Sequence, residues 1–235
     1  MSLWCNIMSK HKSSKQSKSP LRLSPQPTPT ITKSSRTRAA ILNAAFDFVW
    51  SRPFRDLTIA SLMAATDVGR SSFYKHFTDL PEVMETLLEM LQGGIVDATQ
   101  PWYVGVGDPT ALLQKSIAGL VRVGYEQGPF LRAITEAATT NERFETIWNR
   151  FIESFDNTVT ERIEADQAQG LIADFGARPV AIALNRLNAY TLIQAFGKHP
   201  RSQPEPVLQA LTRIWISTLY GAGWPDKQPS TLVRT

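Results

Sequence analysis

The sequence predicts an all-α protein: an N-terminal helix-turn-helix unit of three helices, joined through a fourth helix to a C-terminal bundle, about nine helices in all. Three observations predict it. Apolar residues recur at intervals of three and four from Ala40 onward, little in the chain alternates with period two, and Pro and Gly punctuate the periodic runs.

The elements follow in order. Ser9 to Ser35 is dense in Ser, Lys, Pro and Thr, with Pro20, Pro25, Pro27 and Pro29 opposing a helix, so residues 1–35 read as a disordered basic tail. That tail is either a dispensable extension or a supplementary contact to DNA. A first helix begins near Arg36, carries Ile41, Ala44, Ala45, Phe48 and Val49, and stops at Pro53. Thr58 caps a short second helix with Ile59, Leu62 and Met63. Thr66-Asp67-Val68-Gly69 makes a turn, and Ser71 to His76 form a third helix with Phe73 and Phe77 inward. Asp79 and Glu82 have capping-box spacing at the start of a fourth, through Val83, Leu87, Leu88 and Leu91. Gly93, Gly94, Pro101, Gly105 and Gly107 mark an irregular connection before Pro109. A helix over about Thr110–Glu126 is stopped by Gly128-Pro129, and a shorter one covers Phe130–Ala138. Phe144, Trp148, Phe151, Phe155, Val159 and Ile163 stripe a long helix ending before Gly170. Pro179 and Pro206 open the last two. The domain reading is therefore a 36–82 helix-turn-helix domain, an 83–222 bundle and a 223–235 flexible tail.

Charge and composition exclude several functions. With 43% hydrophobic and 20% charged residues among 235, a sizeable core is affordable and global disorder is excluded. The net charge of +4 is local: eight Lys or Arg and no acid lie between Met1 and Arg38. A single cysteine forms no internal disulfide, and three scattered histidines make no metal cluster, so no metal or other cofactor is expected. The start lacks a secretory signal and no apolar run has membrane-spanning length, which makes a cytoplasmic protein the expectation. An enzyme acting on an apolar compound is the remote alternative. Glu153, Asp156 and Glu161 read as the solvated face of the long helix, and no histidine or cysteine stands ready to form a nucleophile-base pair, so no catalytic residue is assigned.

The segment Thr58 to Phe77 carries the most information. A helix, a four-residue turn and a short polar-faced helix are what a helix-turn-helix needs to place its second helix in the major groove. Ala60, Ala64 and Ala65 are small enough for close helix packing, and Val68, Phe73 and Phe77 anchor the turn and the second helix. Arg70, Ser71, Ser72, Tyr74, Lys75 and His76 then remain outside as donors for phosphates and base edges, with no acid among them.

The run Val68-Gly-Arg-Ser-Ser-Phe-Tyr-Lys-His-Phe77-Thr-Asp-Leu80 resembles the TetR family of bacterial transcriptional regulators. The resemblance implies Ser71, Ser72 and Lys75 near base edges or the groove wall, Tyr74 and His76 on phosphates, and Thr58 anchoring the second helix. Three positions depart from the family pattern. Asp67 stands where Gly is usual and tolerates a left-handed turn. Gly69 stands where Ser or Thr would cap the recognition helix, and Leu80 where a Lys commonly reaches phosphate.

The last two helices are apolar over much of their circumference. Leu208, Leu211, Trp215 and Leu219 make one stripe with Val207, Ile214 and Thr218 beside it, and Ala181, Leu184, Leu187, Asn188, Leu192 and Phe196 cover the preceding helix. One side then faces the core and the other a second subunit, and a homodimer would set two recognition helices on successive major grooves. Ile147 to Phe151, Ala183 to Leu192 and Arg213 to Gly221 resemble the TetR-family branch that includes the mycobacterial repressor of the ethionamide-activating monooxygenase. That likeness implies a helix-lined tunnel for an elongated apolar or aromatic ligand. Its candidate lining is Leu113, Ile117, Leu120, Trp148, Phe151, Phe155, Asn185, Asn188, Leu192 and Trp215. Leu113 and Leu120 replace aromatic residues, implying a wider cavity. Asn185 and Asn188 share a helical face, as ligand-orienting amides or as core amides bonded to a neighbouring helix. The function expected is a repressor released from a palindromic operator by a small, largely apolar ligand, with an activator or a ligand-independent architectural DNA-binding protein as alternatives.

Overall fold

A computed structural model of the chain describes residues 32–66 and 68–221. Among them the regular structure is helical: eight α-helices and a single 3-10 turn. They are α1 (Lys33–Ser51), α2 (Ile59–Ala64), α3 (Arg70–Phe73), α4 (Leu80–Val104), α5 (Pro109–Ala138), α6 (Glu142–Ala168), α7 (Ala177–Phe196) and α8 (Pro204–Leu219).

The caps explain most boundaries. Thr32 Oγ1 accepts the Ser35 amide at 3.2 Å, so α1 starts three residues ahead of the predicted Arg36 and absorbs the end of the predicted tail. Thr58 and Ser61 satisfy each other's amides in a capping box that starts α2. Asp79 Oδ1 accepts from the Glu82 amide at 3.0 Å, while Glu82 reaches past Asp79 to the Thr78 amide at 2.7 Å. The two bonds from Thr78 hold the Glu82 carboxyl below its ordinary pKa. The two late helices begin at Ala177 and Pro204, two residues before the prolines expected to open them, and those prolines sit in the first turn, where their missing N–H costs nothing.

Two predictions about breaks fail. The segments expected over 110–126 and 130–138 are one helix of 30 residues, which reduces the predicted nine to eight. Pro129 removes the amide that would bond the Tyr125 carbonyl, but Arg201 Nη1 donates to that carbonyl at 2.6 Å and replaces the lost partner. Likewise α4 continues through Gly93 and Gly94 to Val104, leaving only Gly105 to Asp108 as connection. The predicted division between 82 and 83 thus falls inside a helix, and the described residues from Thr32 to Gly221 form one compact unit.

Helix α5 packs against α4, α6, α7 and α8. Its approach to α7 is set by glycine: a Cβ on Gly128 would lie 2.4 Å from the Phe196 carbonyl oxygen, and one on Gly124 would lie 2.9 Å from Leu192. The core is continuous from the small helices to the bundle, with Phe46 against Phe130 at 6.1 Å and Phe54 edge-on to Phe144 at 5.0 Å. In α2, Leu62 and Met63 do the packing. Ala60, Ala64 and Ala65 are exposed, contrary to the close-packing role predicted for them, because α2 is only six residues long and turns one narrow face inward. Because backbone, which cannot rotate away, faces Gly128, Gly128→Ala is expected to destabilise the fold by about 1–3 kcal/mol, seen as a lower urea midpoint at an unchanged slope.

Candidate DNA-reading face and ligand cavity

Helix α3 is held by two aromatic rings. Phe73 is fully buried, Phe77 nearly so, and their centroids are 5.9 Å apart. The Arg38 guanidinium covers Phe77 at 4.8 Å and reaches the Thr86 hydroxyl at 3.3 Å, fixing α3 between α1 and α4. The helix is shorter than the predicted 71–76: Gly69 supplies no capping side chain, and residues 74–76 form a turn closed by His76 N–H to Phe73 O at 2.9 Å. On the outer side Thr58, Arg70, Ser71, Tyr74 and Lys75 are exposed, and Ser72 and His76 are half-buried. Tyr74 is 55% exposed, its ring edge-on to Phe73 at 5.4 Å and its hydroxyl directed outward from the packed rings. Among the described residues none of Arg70, Tyr74, Lys75 and His76 is engaged in a side-chain hydrogen bond or ion pair, so a row of donors is presented on one surface. Asp67 lies outside the described residues, as do the tails before Thr32 and after Gly221. Leu80 is half-buried against the core.

Inside the bundle lies an apolar cavity. Leu113, Ile117 and Leu120 of α5, Trp148, Phe151 and Phe155 of α6, Asn185, Asn188 and Leu192 of α7 and Trp215 of α8 all stand on its wall. The space it encloses is about 710 Å³ with the solvent at its mouth included, and about 80 Å³ admits the centre of a water molecule. Ile95, Thr99, Trp102 and Tyr103 of α4 complete it. These four were missed because Pro101 and Gly105 read as an irregular connection. The signal was nevertheless present, since Leu91, Ile95, Thr99 and Trp102 continue the spacing of the fourth helix. Trp102 meets Trp215 edge-on at 5.7 Å and supplies aromatic bulk that Leu113 and Leu120 do not.

The polar groups of the wall are half used. Trp215 Nε1 donates to Asn188 Oδ1 at 2.9 Å, and Asn185 Nδ2 donates to Asp156 Oδ1 at 3.0 Å. The two amides therefore are core amides bonded to neighbouring helices. Each still has a second polar atom, the Asn188 amide group and the Asn185 carbonyl, without a protein partner among the described residues. Ser116 is fully used, accepting from Trp102 N and donating to Thr99 O, both at 2.9 Å.

Asp156 overturns its predicted placement on a solvated face: it is 2% exposed. Both Arg186 Nη atoms donate to it at 3.0 Å beside Asn185, because α6 turns this position toward α7. Glu153 and Glu161 are exposed as expected. At the other end of the cavity Trp102 Nε1 donates to the Tyr220 hydroxyl at 2.8 Å. That hydroxyl donates to Asp166 at 2.6 Å, and Asp166 in turn accepts from Arg162 Nε at 3.1 Å. Burial, and then the hydrogen bond to Asp166, push the Tyr220 hydroxyl from 10.0 up to about 12. Burial raises Tyr103 as well.

A helix-turn-helix head built onto a helical domain with an apolar cavity is the architecture of a DNA-binding transcriptional regulator. Comparison with known proteins agrees. Residues 113–221 match the family "Transcriptional regulator EthR, C-terminal domain". The HTH-type transcriptional regulator EthR of Mycolicibacterium smegmatis is 25% identical over 189 residues, 78% of this chain and 86% of the relative. Its counterpart from Mycobacterium tuberculosis is 26% identical over 188 residues, 77% and 86% of the two chains. A bacterial regulatory protein of the tetR family from Rhodococcus RHA1 shares the fold at a TM-score of 0.64 and 17% identity, over 82% of this chain and all of that one. Residues 113–221 thus carry a transcriptional-regulator domain, and over most of its length the chain resembles the TetR-family regulators, EthR among them.

Tyr220 is protonated more tightly in the folded state. Its contribution is therefore fully present below about pH 10 and is lost as pH rises toward about 12. The stability advantage of the native protein over Tyr220→Phe is expected to shrink across that window in urea unfolding.

Proposed function

We propose that this regulator is a homodimeric repressor that leaves a palindromic operator when a small, largely apolar ligand enters the bundle. The observation that carries the reading is α4: over 25 residues, about 37 Å, one helix runs from Leu80 behind the recognition helix to Trp102 on the cavity wall. A ligand that moved Trp102 or Ile95 would move the head through a rigid element rather than a flexible joint.

In this reading Ser71, Ser72 and Lys75 approach base edges, and Arg70, Tyr74, His76 and Thr58 position the head on phosphates. The ligand lies among the aromatic and aliphatic walls, with the free Asn188 amide and Asn185 carbonyl offering one donor and one acceptor. Dimerisation uses the outward sides of α7 and α8. Their support is an exposed stripe including Tyr190 at 68% and Ile214 at 39% exposure, with exposed Ala183 and Ala210 and half-buried Val207 beside them. The relatives are regulators and not enzymes, which supports a binding role for the cavity. No helix of the described residues is long and apolar enough to cross a membrane.

Recovered operator DNA tests the head. Lys75→Ala is expected to keep its melting temperature and to lose about 1–3 kcal/mol of operator affinity; unchanged affinity at controlled salt would remove Lys75 from the interface. Release by apolar compounds carrying one hydrogen-bonding group tests the cavity. Leu120→Trp fills it, so this variant is expected to bind operator normally and to stay bound at compound concentrations that release the native protein. Loss of the regulator is expected to raise transcription from the operator; a fall would identify an activator.

A further inference from the structure

A second cleft lies where the small helices meet the bundle, away from the apolar cavity. One wall is the end of α1 and the turn after it, with Trp50, Arg52 and Phe54; the other is Arg132 and Glu136 of α5 with Lys198 and His199 following α7. About 350 Å³ of it is open to the centre of a water molecule, against about 80 Å³ in the cavity, so the cleft is far roomier.

Its chemistry is two-sided. The floor is apolar, since Val49, Pro129 and Ala133 are buried there. The rim is cationic: Arg52, Arg132 and Lys198 stand against Glu136 alone, and Glu136 is already paired with Arg132. Among the described residues Lys198 and Arg52 have no ion-pair partner. The Trp50 ring is braced by Arg201, whose guanidinium lies 5.5 Å from it and 4.1 Å from Tyr125 while bonding the Tyr125 carbonyl.

We propose that this cleft is a second ligand site, for small organic anions that carry a carboxylate on an aromatic body. The carboxylate takes the donors of Lys198 and Arg132, and the ring lies on the Trp50 and Pro129 side. Inorganic phosphate would use the cations but leave the apolar floor wet, and a neutral ring would cover the floor but leave the cations unpaired. The site is independent of whether the apolar cavity controls operator binding.

Benzoate is the probe, titrated into the full-length protein by calorimetry and by tryptophan emission at low salt, with benzamide and inorganic phosphate alongside. The expected result is saturable binding of one benzoate per protomer, at least about fivefold tighter than either control. Lys198→Ala, an exposed substitution that spares the fold, weakens it by about fivefold or more. Trp50→Phe removes most of the emission change, and Leu120→Trp leaves benzoate binding unaltered. Benzoate binding indifferent to Lys198→Ala and Trp50→Phe, or lost in Leu120→Trp, overturns the assignment by placing the anion elsewhere. Equal binding of phosphate reduces the cleft to a patch of charge and overturns the ligand class.

Discussion

The Tyr125 carbonyl has no helical donor because Pro129 stands four residues later, and the bond it accepts from Arg201 lets α5 run unbroken for 30 residues. The architecture hangs on that continuity. A break at Pro129 would leave Phe130, Leu131 and Ile134 to find a new direction, and the contact of Phe46 with Phe130 ties the small helices to this stretch. The same axis brings Gly124 and Gly128 against Leu192 and Phe196, so close that no side chain fits between. The apolar cavity lies beside this packed seam: Leu113, Ile117 and Leu120 line it earlier in α5, while Gly124 and Gly128 meet Leu192 and Phe196 further along the same helix.

The polar groups of the bundle are arranged by what each end of the cavity must exclude. At one end Asp156 is neutralised by two guanidinium bonds and an amide, and at the other Asp166 is held by Arg162 and Tyr220. Unpaired carboxylates in such a setting would draw water into the cavity. Paired, they stand behind the wall residues Asn185 and Trp102, and Asn185 and Asn188, both on the wall, keep spare hydrogen-bonding capacity.

Much of the recognition face was legible because its rules are local. A capping residue at Thr58, a turn, and two phenylalanines four apart determine which side of α3 is buried, and so which side presents Ser71, Tyr74 and Lys75. The cavity wall was legible through the stripes on α6 and α7 and through the family likeness. What escaped was everything decided by a distant partner. The α4 contribution was hidden by Pro101, and Asp156 looked like its exposed neighbours Glu153 and Glu161 until Arg186 and Asn185 were brought beside it.

The sequence by itself determined the helical class, the order of the helices and most of their starts, and the polarity of the short helix α3. Periodicity and capping are properties of neighbours along the chain, so no tertiary information was needed for these. Tertiary structure alone decided that Pro129 does not end α5 and that Asp156 is buried. It also decided that the basic residues 52, 132 and 198 share one cleft. Each depends on a residue at least 29 positions away supplying a donor, a charge or a wall, and separation along the chain carries no signal of such meetings.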